Sequence, residues 1–217
     1  MDHREDLLAG RFSVDFVALG LRRRLAGDFG ELLAHLAPRE GRVEIDPRDL
    51  PGLDLGPGGR RAVGEILDDV GLLEDLGLEP QLDCIVSYAR DERGLAVQTD
   101  VCSFHADRAD GELDTWICTY IGPCTELLAP ADARRRIEDP ARRAGLLAAS
   151  GLAEGPTFEA WLRDGSFDLH FEPREGALPV PLGVGELWRL AVDWPGAPGP
   201  PCVHRAPSGG PRLLLLA

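Results

Sequence analysis

His105 and Asp107 stand two residues apart in the run Phe104-His105-Ala106-Asp107, and another histidine, His204, follows 97 residues after Asp107. On an extended chain, positions i and i+2 share a face at about 3.3 Å of rise per residue. An imidazole and a carboxylate so placed can converge on one cation about 2.1 Å from each. Two imidazoles and one carboxylate form a facial set that leaves coordination positions open and suits Fe(II), Mn(II) or Zn(II) better than a soft copper site. Arg212, eight residues beyond His204, is placed to hold a carboxylate near such a metal, because a guanidinium fork pairs bidentately with carboxylates. Arg205 is its rival. If Cys202–Arg205 is extended, Cys202 and His204 share one face and Arg205 points away, whereas Arg212 shares a face with Leu214 and Leu216.

The other histidines compete less well. His3 lies at the start of the chain, His35 sits beside Leu36 in a helical pattern, and His170, in Phe167-Asp168-Leu169-His170-Phe171, is the real alternative. Cys102 and Cys202 could bring thiolates to a zinc site. Only Cys202 has the right parity with its neighbouring histidine. The five cysteines form no Cys-x-x-Cys pair, and in a reducing compartment they read as free thiols packed as small apolar groups.

The elements that must position these residues divide at about Pro80. Before it, residues 13–37 carry apolar residues at mostly three- and four-residue steps, which predicts a helix. Residues 46–59 are rich in Pro, Gly and Asp and predict a loop, and residues 60–76 predict a second helix. After it, residues 81–89 and 95–102 predict a hairpin across the turn Arg90–Gly94, and residues 115–121 predict a strong strand ended by Gly122-Pro123. Residues 130–150 predict an Arg-rich helix, and 158–163 a shorter one. Strands are expected at 166–171, 186–193, 202–205 and 212–216. On the 115–121 strand, Trp116, Cys118 and Tyr120 share a face. They line either a cavity, with the Tyr120 hydroxyl donating to a bound cosubstrate, or the core. The fold class expected is α+β in a single domain of residues 1–217. Residues 1–80 form a helical N-terminal part, and residues 81–217 a barrel or sandwich core.

Composition narrows the partners. The net charge is −14, and all 23 basic residues are arginine. That balance repels phosphate backbones and anionic lipid surfaces, so nucleic acid and membranes are not expected as partners. The absence of lysine and asparagine excludes Schiff-base lysine chemistry, a P-loop lysine, a Cys-His-Asn triad and N-glycosylation. The charged start Met1-Asp2-His3-Arg4-Glu5-Asp6 has no apolar signal core, so a cytoplasmic location is expected. The oligomeric state is left open.

The pattern His105-x-Asp107, a distant His204 and then Arg212 at the start of a late strand resembles the Fe(II)/2-oxoglutarate-dependent dioxygenases. More closely, Cys102–Asp107, Cys118–Leu127 and His204–Pro207 resemble a bacterial domain-of-unknown-function family. The resemblance covers roughly Leu82 to the last residue. It implies a double-stranded β-helix, or jelly roll, similar to cupins. It also implies Fe(II) held by His105, Asp107 and His204, 2-oxoglutarate as cosubstrate anchored by Arg212, and dioxygen oxidising a small-molecule substrate. The carboxylate of Asp107 favours hydroxylation, desaturation or cyclisation over halogenation in that class. Two alternatives stand beside it: a cupin-like metal-binding protein without turnover, and a metal-dependent dioxygenase that uses no 2-oxoglutarate.

Overall fold

The computed structural model describes residues 3–217. The chain is a mixed α/β protein with antiparallel sheets. Its elements in order are α1 (His3–Ala9), β1 (Ala18–Leu21), α2 (Phe29–Leu36), β2 (Arg42–Ile45), α3 (Pro57–Asp75), β3 (Gln81–Ile85), β4 (Asp114–Ile121), β5 (Glu126–Leu128) and β6 (Ala133–Arg135). There follow α4 (Pro140–Ser150), α5 (Pro156–Asp164), β7 (Phe171–Pro173), β8 (Val180–Pro181), β9 (Leu187–Ala191), β10 (Val203–Arg205) and β11 (Arg212–Leu216). The main sheet has six strands in the order β1-β9-β4-β11-β3-β2. A second has three, β10-β5-β8, and β6 pairs with β7. Among the described residues no helix is long and apolar enough to cross a membrane.

The two faces of the six-stranded sheet have different tasks. Period-two alternation sends Leu82 and Cys84 of β3, Trp116, Cys118 and Tyr120 of β4, and Leu213 and Leu215 of β11 to one side. There they meet α3, whose Ala62, Val63, Ile66, Val70 and Leu73 are buried at helical spacing. Ile85, Ile117, Leu190 and Leu214 face the other side and pack with Cys124, Leu182 and Cys202 from the neighbourhood of the three-stranded sheet. The register of β11 on β4 slips between Leu213 and Leu214. This irregularity lets Ile121 join Tyr120 on the helical side, while Arg212 continues toward the other.

Several expected elements are redrawn. Residues 13–37 are not one helix. Ala18–Leu21 is a strand on the sheet edge, paired with β9, and α2 begins only after Asp28. Gly27 is the reason: it sits at φ +122°, against the backbone of Ala62, where neither a helix nor a side chain fits. Asp28 then caps α2 by accepting from the Glu31 N–H at 3.0 Å. The N-terminal part is therefore not simply helical, since β1 and β2 complete the main sheet. The expected hairpin is also absent. β3 pairs with β2 and β11, and residues 86–103 form an irregular segment tied by carboxylates. Asp91 accepts from the Thr99 N–H at 3.0 Å and from Arg93 at 2.9 Å, and Asp100 accepts from the Asp91 N–H at 3.0 Å. The Arg-rich helix starts at Pro140 under an Asp139 cap, and Ala133–Arg135 forms a strand instead. The Pro/Gly/Asp-rich stretch holds a 3-10 turn, Pro47–Gly52, and residues 167–169 form another ahead of β7.

The helical side carries one buried polar group in its centre. Asp69, fully buried on α3, accepts from Arg23 at 2.6 Å and from the Tyr120 hydroxyl at 2.8 Å. Burial raises the Tyr120 phenol well above its usual range, which keeps it a donor. Removing one member of a buried charged set costs more than its net contribution, because the others stay desolvated. We expect Asp69→Ala to lose about 3 kcal/mol, the low end for a buried pair because Arg23 keeps some contact with water. For a chain of this size that lowers Tm by roughly 6–12 °C. Thermal denaturation checks this, with divalent-metal content of the folded protein unchanged.

Candidate metal centre

His105, Asp107 and His204 come together, with one ligand atom from each lying within 4.8 Å of the others. Backbone pairing brings this about. His105 and His204 form an antiparallel bridge in which each N–H donates to the other's carbonyl, both at 2.8 Å. Residues directly opposite in such a pair project to the same side, and the two rings lie 4.5 Å apart. The segment continues in register. Ala106 donates to Leu169 at 3.0 Å, and the Asp107 carbonyl accepts from Asp193 at 2.8 Å. Asp107 thus faces the same side as His105, as the two-residue spacing predicts. Its two oxygens stand 3.8 Å from His105 Nε2 and 3.6 Å from His204 Nε2. Ligand atoms about 2.1 Å from one ion in cis positions stand about 3 Å apart, so a modest inward movement completes the set.

The ring orientations suit a metal. His105 Nδ1 lies 2.8 Å from the Ser103 carbonyl and His204 Nδ1 3.2 Å from the Cys202 carbonyl. A carbonyl can only accept, so each Nδ1 carries the proton and each Nε2 keeps a free lone pair aimed at the shared space. Burial, reinforced by the neighbouring His204, lowers His105 to about 4, so its ring is neutral at pH 7. Asp107 also has its pKa held down. Burial pushes it up, but the nearby His204 ring, a hydrogen bond from the Thr115 hydroxyl at 2.6 Å and the His105 ring outweigh that. A neutral His105 ring and an ionised Asp107 carboxylate are protonation states a divalent cation requires. The group could therefore hold a metal ion.

The site opens into a cavity of about 430 Å³ on the sheet face opposite the helices, and Arg212 lines it. Arg212 is 3% exposed. Its Nη1 donates to the Thr125 hydroxyl at 3.3 Å, and its guanidinium lies over the Tyr88 ring at 5.3 Å. Gly122, at φ +95° against the backbone of Pro211 and Arg212, is the close approach that seats this end of β11 beside the β4 turn. Burial lowers the Arg212 pKa, and its Nε is buried without a partner. No carboxylate among the described residues forms an ion pair with it.

Arg205 has the opposite orientation. It pairs with Glu126 at 2.6 Å and covers the Phe104 ring. Tyr120, expected as a candidate cosubstrate ligand, lies on the wrong side of β4: it stacks on Phe29 and donates to Asp69 in the helical core. His170 is stacked behind His105 at 5.8 Å and is outside the ligand group. Cys202 contributes its carbonyl rather than its sulfur, since burial drives its thiol pKa far up. All five cysteines are free. Sequence reasoning passed over Thr115, which holds Asp107, although its parity on β4 placed it opposite Tyr120. It also passed over Asp83, whose signal was a lone carboxylate inside the apolar strand Leu82-Asp83-Cys84-Ile85. The chain matches no family model, no curated protein and no solved structure.

We expect one divalent metal per chain, lost in His105→Ala and retained in Cys202→Ala. Thr115→Val should keep the stoichiometry but weaken affinity about 10–100-fold, the usual effect of removing a group that orients a ligand. Elemental analysis and a chelator-competition titration check these outcomes.

Proposed function

We propose that this chain is a non-haem Fe(II)- and 2-oxoglutarate-dependent dioxygenase that oxidises a small-molecule substrate. The observation that carries the reading is Arg212, a buried guanidinium with no carboxylate partner among the described residues, lining the same cavity as the His105–Asp107–His204 group. A buried cation without an anion is costly, and a ligand carboxylate removes that cost. A metal-binding protein without turnover has no need of such a group, which favours an oxygenase over the cupin-like alternative. Thiol-directed oxidation without a keto acid likewise leaves Arg212 unexplained.

The donor set fits Fe(II), with two neutral imidazoles and one carboxylate leaving positions open. His105 and His204 would bind through Nε2 and Asp107 through its carboxylate, held in place by Thr115 and the two backbone carbonyls. Arg212 would take the distal carboxylate of 2-oxoglutarate, with the Thr125 hydroxyl fixing the guanidinium. When bound, iron and 2-oxoglutarate supply the redox chemistry: dioxygen is consumed, the keto acid leaves as succinate and carbon dioxide, and the substrate gains an oxygen atom or loses two hydrogens. The chain's own part is to bind, orient and exclude water. Ile85, Ile117 and Leu214 give the cavity apolar walls, which strengthens the pairing of any carboxylate with Arg212. The jelly-roll reading of the fold draws support from the two antiparallel sheets that contribute to the cavity and from the bridge between their neighbouring segments at His105 and His204. The resemblance of the His105-x-Asp107, His204 and Arg212 spacing to this enzyme class points the same way.

Anaerobic titration of the iron-loaded protein with 2-oxoglutarate, followed at the metal-to-ligand charge-transfer band, tests the proposal. Arg212→Ala should weaken binding by about 3–5 kcal/mol, the cost of breaking a buried pair, with iron affinity little changed. Arg205→Ala should bind as the wild type does. Equal binding by wild type and Arg212→Ala, or the absence of a charge-transfer band in the wild type, would refute the assignment.

A further inference from the structure

Asp83 presents an unsatisfied carboxylate oxygen in this cavity. It lies at the centre of β3, fully buried, and lines the same space as the metal ligands and Arg212. Its Oδ1 is occupied by Arg42 at 2.8 Å and by the Gln81 amide at 3.4 Å. Its Oδ2 is buried and has no partner. Arg42 is a weak counterion for it, because that side chain is 47% exposed and its charge is shared with water. Burial accordingly raises the Asp83 pKa despite Arg42. A carboxylate in this position is costly unless something donates to the free oxygen.

The register shows where that donor would sit. Asp83 lies directly opposite Leu214, and Arg212 opposite Ile85. Asp83 and Arg212 are therefore diagonal neighbours on one face, about 7–8 Å apart by the usual spacing. Beyond Asp83 the cavity rim carries Glu79 and Gln81, so this end holds two carboxylates against the one guanidinium of Arg42, where the Arg212 end is basic. Leu214, opposite Asp83, lies between these ends, and Leu216 and Ile117 continue the aliphatic wall level with Gln81. A net charge of −14 draws cations to such an opening.

We infer that Asp83 is the substrate-recognising residue and that the substrate is an aliphatic primary amine, whose ammonium donates to the free Oδ2 while its alkyl chain lies along Leu214 and Ile117 toward the metal ligands. The inference rests on the cavity being the substrate site of the proposed oxygenase. A hydroxyl could satisfy the oxygen's hydrogen bond but would leave its charge poorly compensated. An ammonium supplies both.

Binding without turnover separates this inference from the oxygenase reading. The probes are n-pentylamine and its neutral counterpart 1-pentanol, titrated calorimetrically into the full chain at about 0.15 M salt, where exposed charges are screened beyond about 8 Å. Wild type should prefer the amine by about tenfold or more. Asp83→Asn should abolish that preference, and Asp107→Ala should keep it. Equal binding of the two probes by wild type overturns the inference, as does a preference that survives Asp83→Asn or disappears in Asp107→Ala. If Asp83→Asn does not fold, a crystal structure of the wild type with n-pentylamine decides. Nitrogen within about 3.2 Å of Asp83 Oδ2 supports the inference, and nitrogen elsewhere overturns it. Failure here with an intact 2-oxoglutarate titration removes only the amine. Failure of that titration with intact amine preference removes the cosubstrate and leaves Asp83 as an amine site.

Discussion

Two reciprocal hydrogen bonds, His105 N–H to His204 carbonyl and back, set the position of everything else in the site. They join segments almost a hundred residues apart and put both imidazoles on one side of the same ladder. Closing so long a loop has an entropic cost that grows only slowly with length, yet two bonds alone do not hold it. The surrounding pairing does: Phe104 and Ala106 bond to Phe171 and Leu169 on one side, and Asp107 and Ala109 to Asp193 on the other. Once this segment is extended, Asp107 has only one direction to face. Ser103 and Cys202, each two residues before a histidine, then supply the carbonyls that fix the tautomers. Backbone geometry thereby determines metal-ligand chemistry without a dedicated side chain for each task.

The six-stranded sheet separates stability from function. On its helical face the buried carboxylate of Asp69 is shared by Arg23 and Tyr120 beneath α3. On its other face Asp83 Oδ2 and Arg212 Nε are both buried without partners. Native interiors rarely leave such groups alone, and their gathering in one cavity beside three metal-type ligands is difficult to attribute to packing. Because successive residues of a strand alternate between the faces, single strands serve both. Leu213 and Leu215 build the core while Arg212 and Leu214 line the cavity.

The grouping of His105, Asp107 and His204 was legible in the sequence because its signal is local in type and simple in geometry. An i, i+2 pair needs only an extended chain, and strand parity alone distinguished Arg212 from Arg205. The same parity left Tyr120 open between cavity and core, because the rule says which residues share a face, not which face meets helices. Trp116 and Cys118 share that face with it, and all three lie against α3. The helix expected over residues 13–37 failed for a related reason. Leu21, Leu25, Phe29 and Leu33 do recur at helical steps, but Gly27 and the need to cover the edge of β9 outweigh that local pattern. Asp83 and Thr115 were invisible as a set, since their common cavity exists only when β3, β4 and β11 are side by side.

The strand order has a consequence for how the protein comes into being. β11 lies in the middle of the main sheet, between β4 and β3, and is made after the other five strands of that sheet. Until then the sheet is two fragments, β1-β9-β4 and β3-β2, each presenting a bare row of amides and carbonyls where β11 belongs. Such non-local completion slows folding and leaves sticky intermediates. Arg212 opens that same strand, so the step that seals the two halves of the sheet also delivers the guanidinium to its cavity. Before that step the cavity lacks both Arg212 and Leu214 from its lining. Maturation of the site and closure of the sheet are one event.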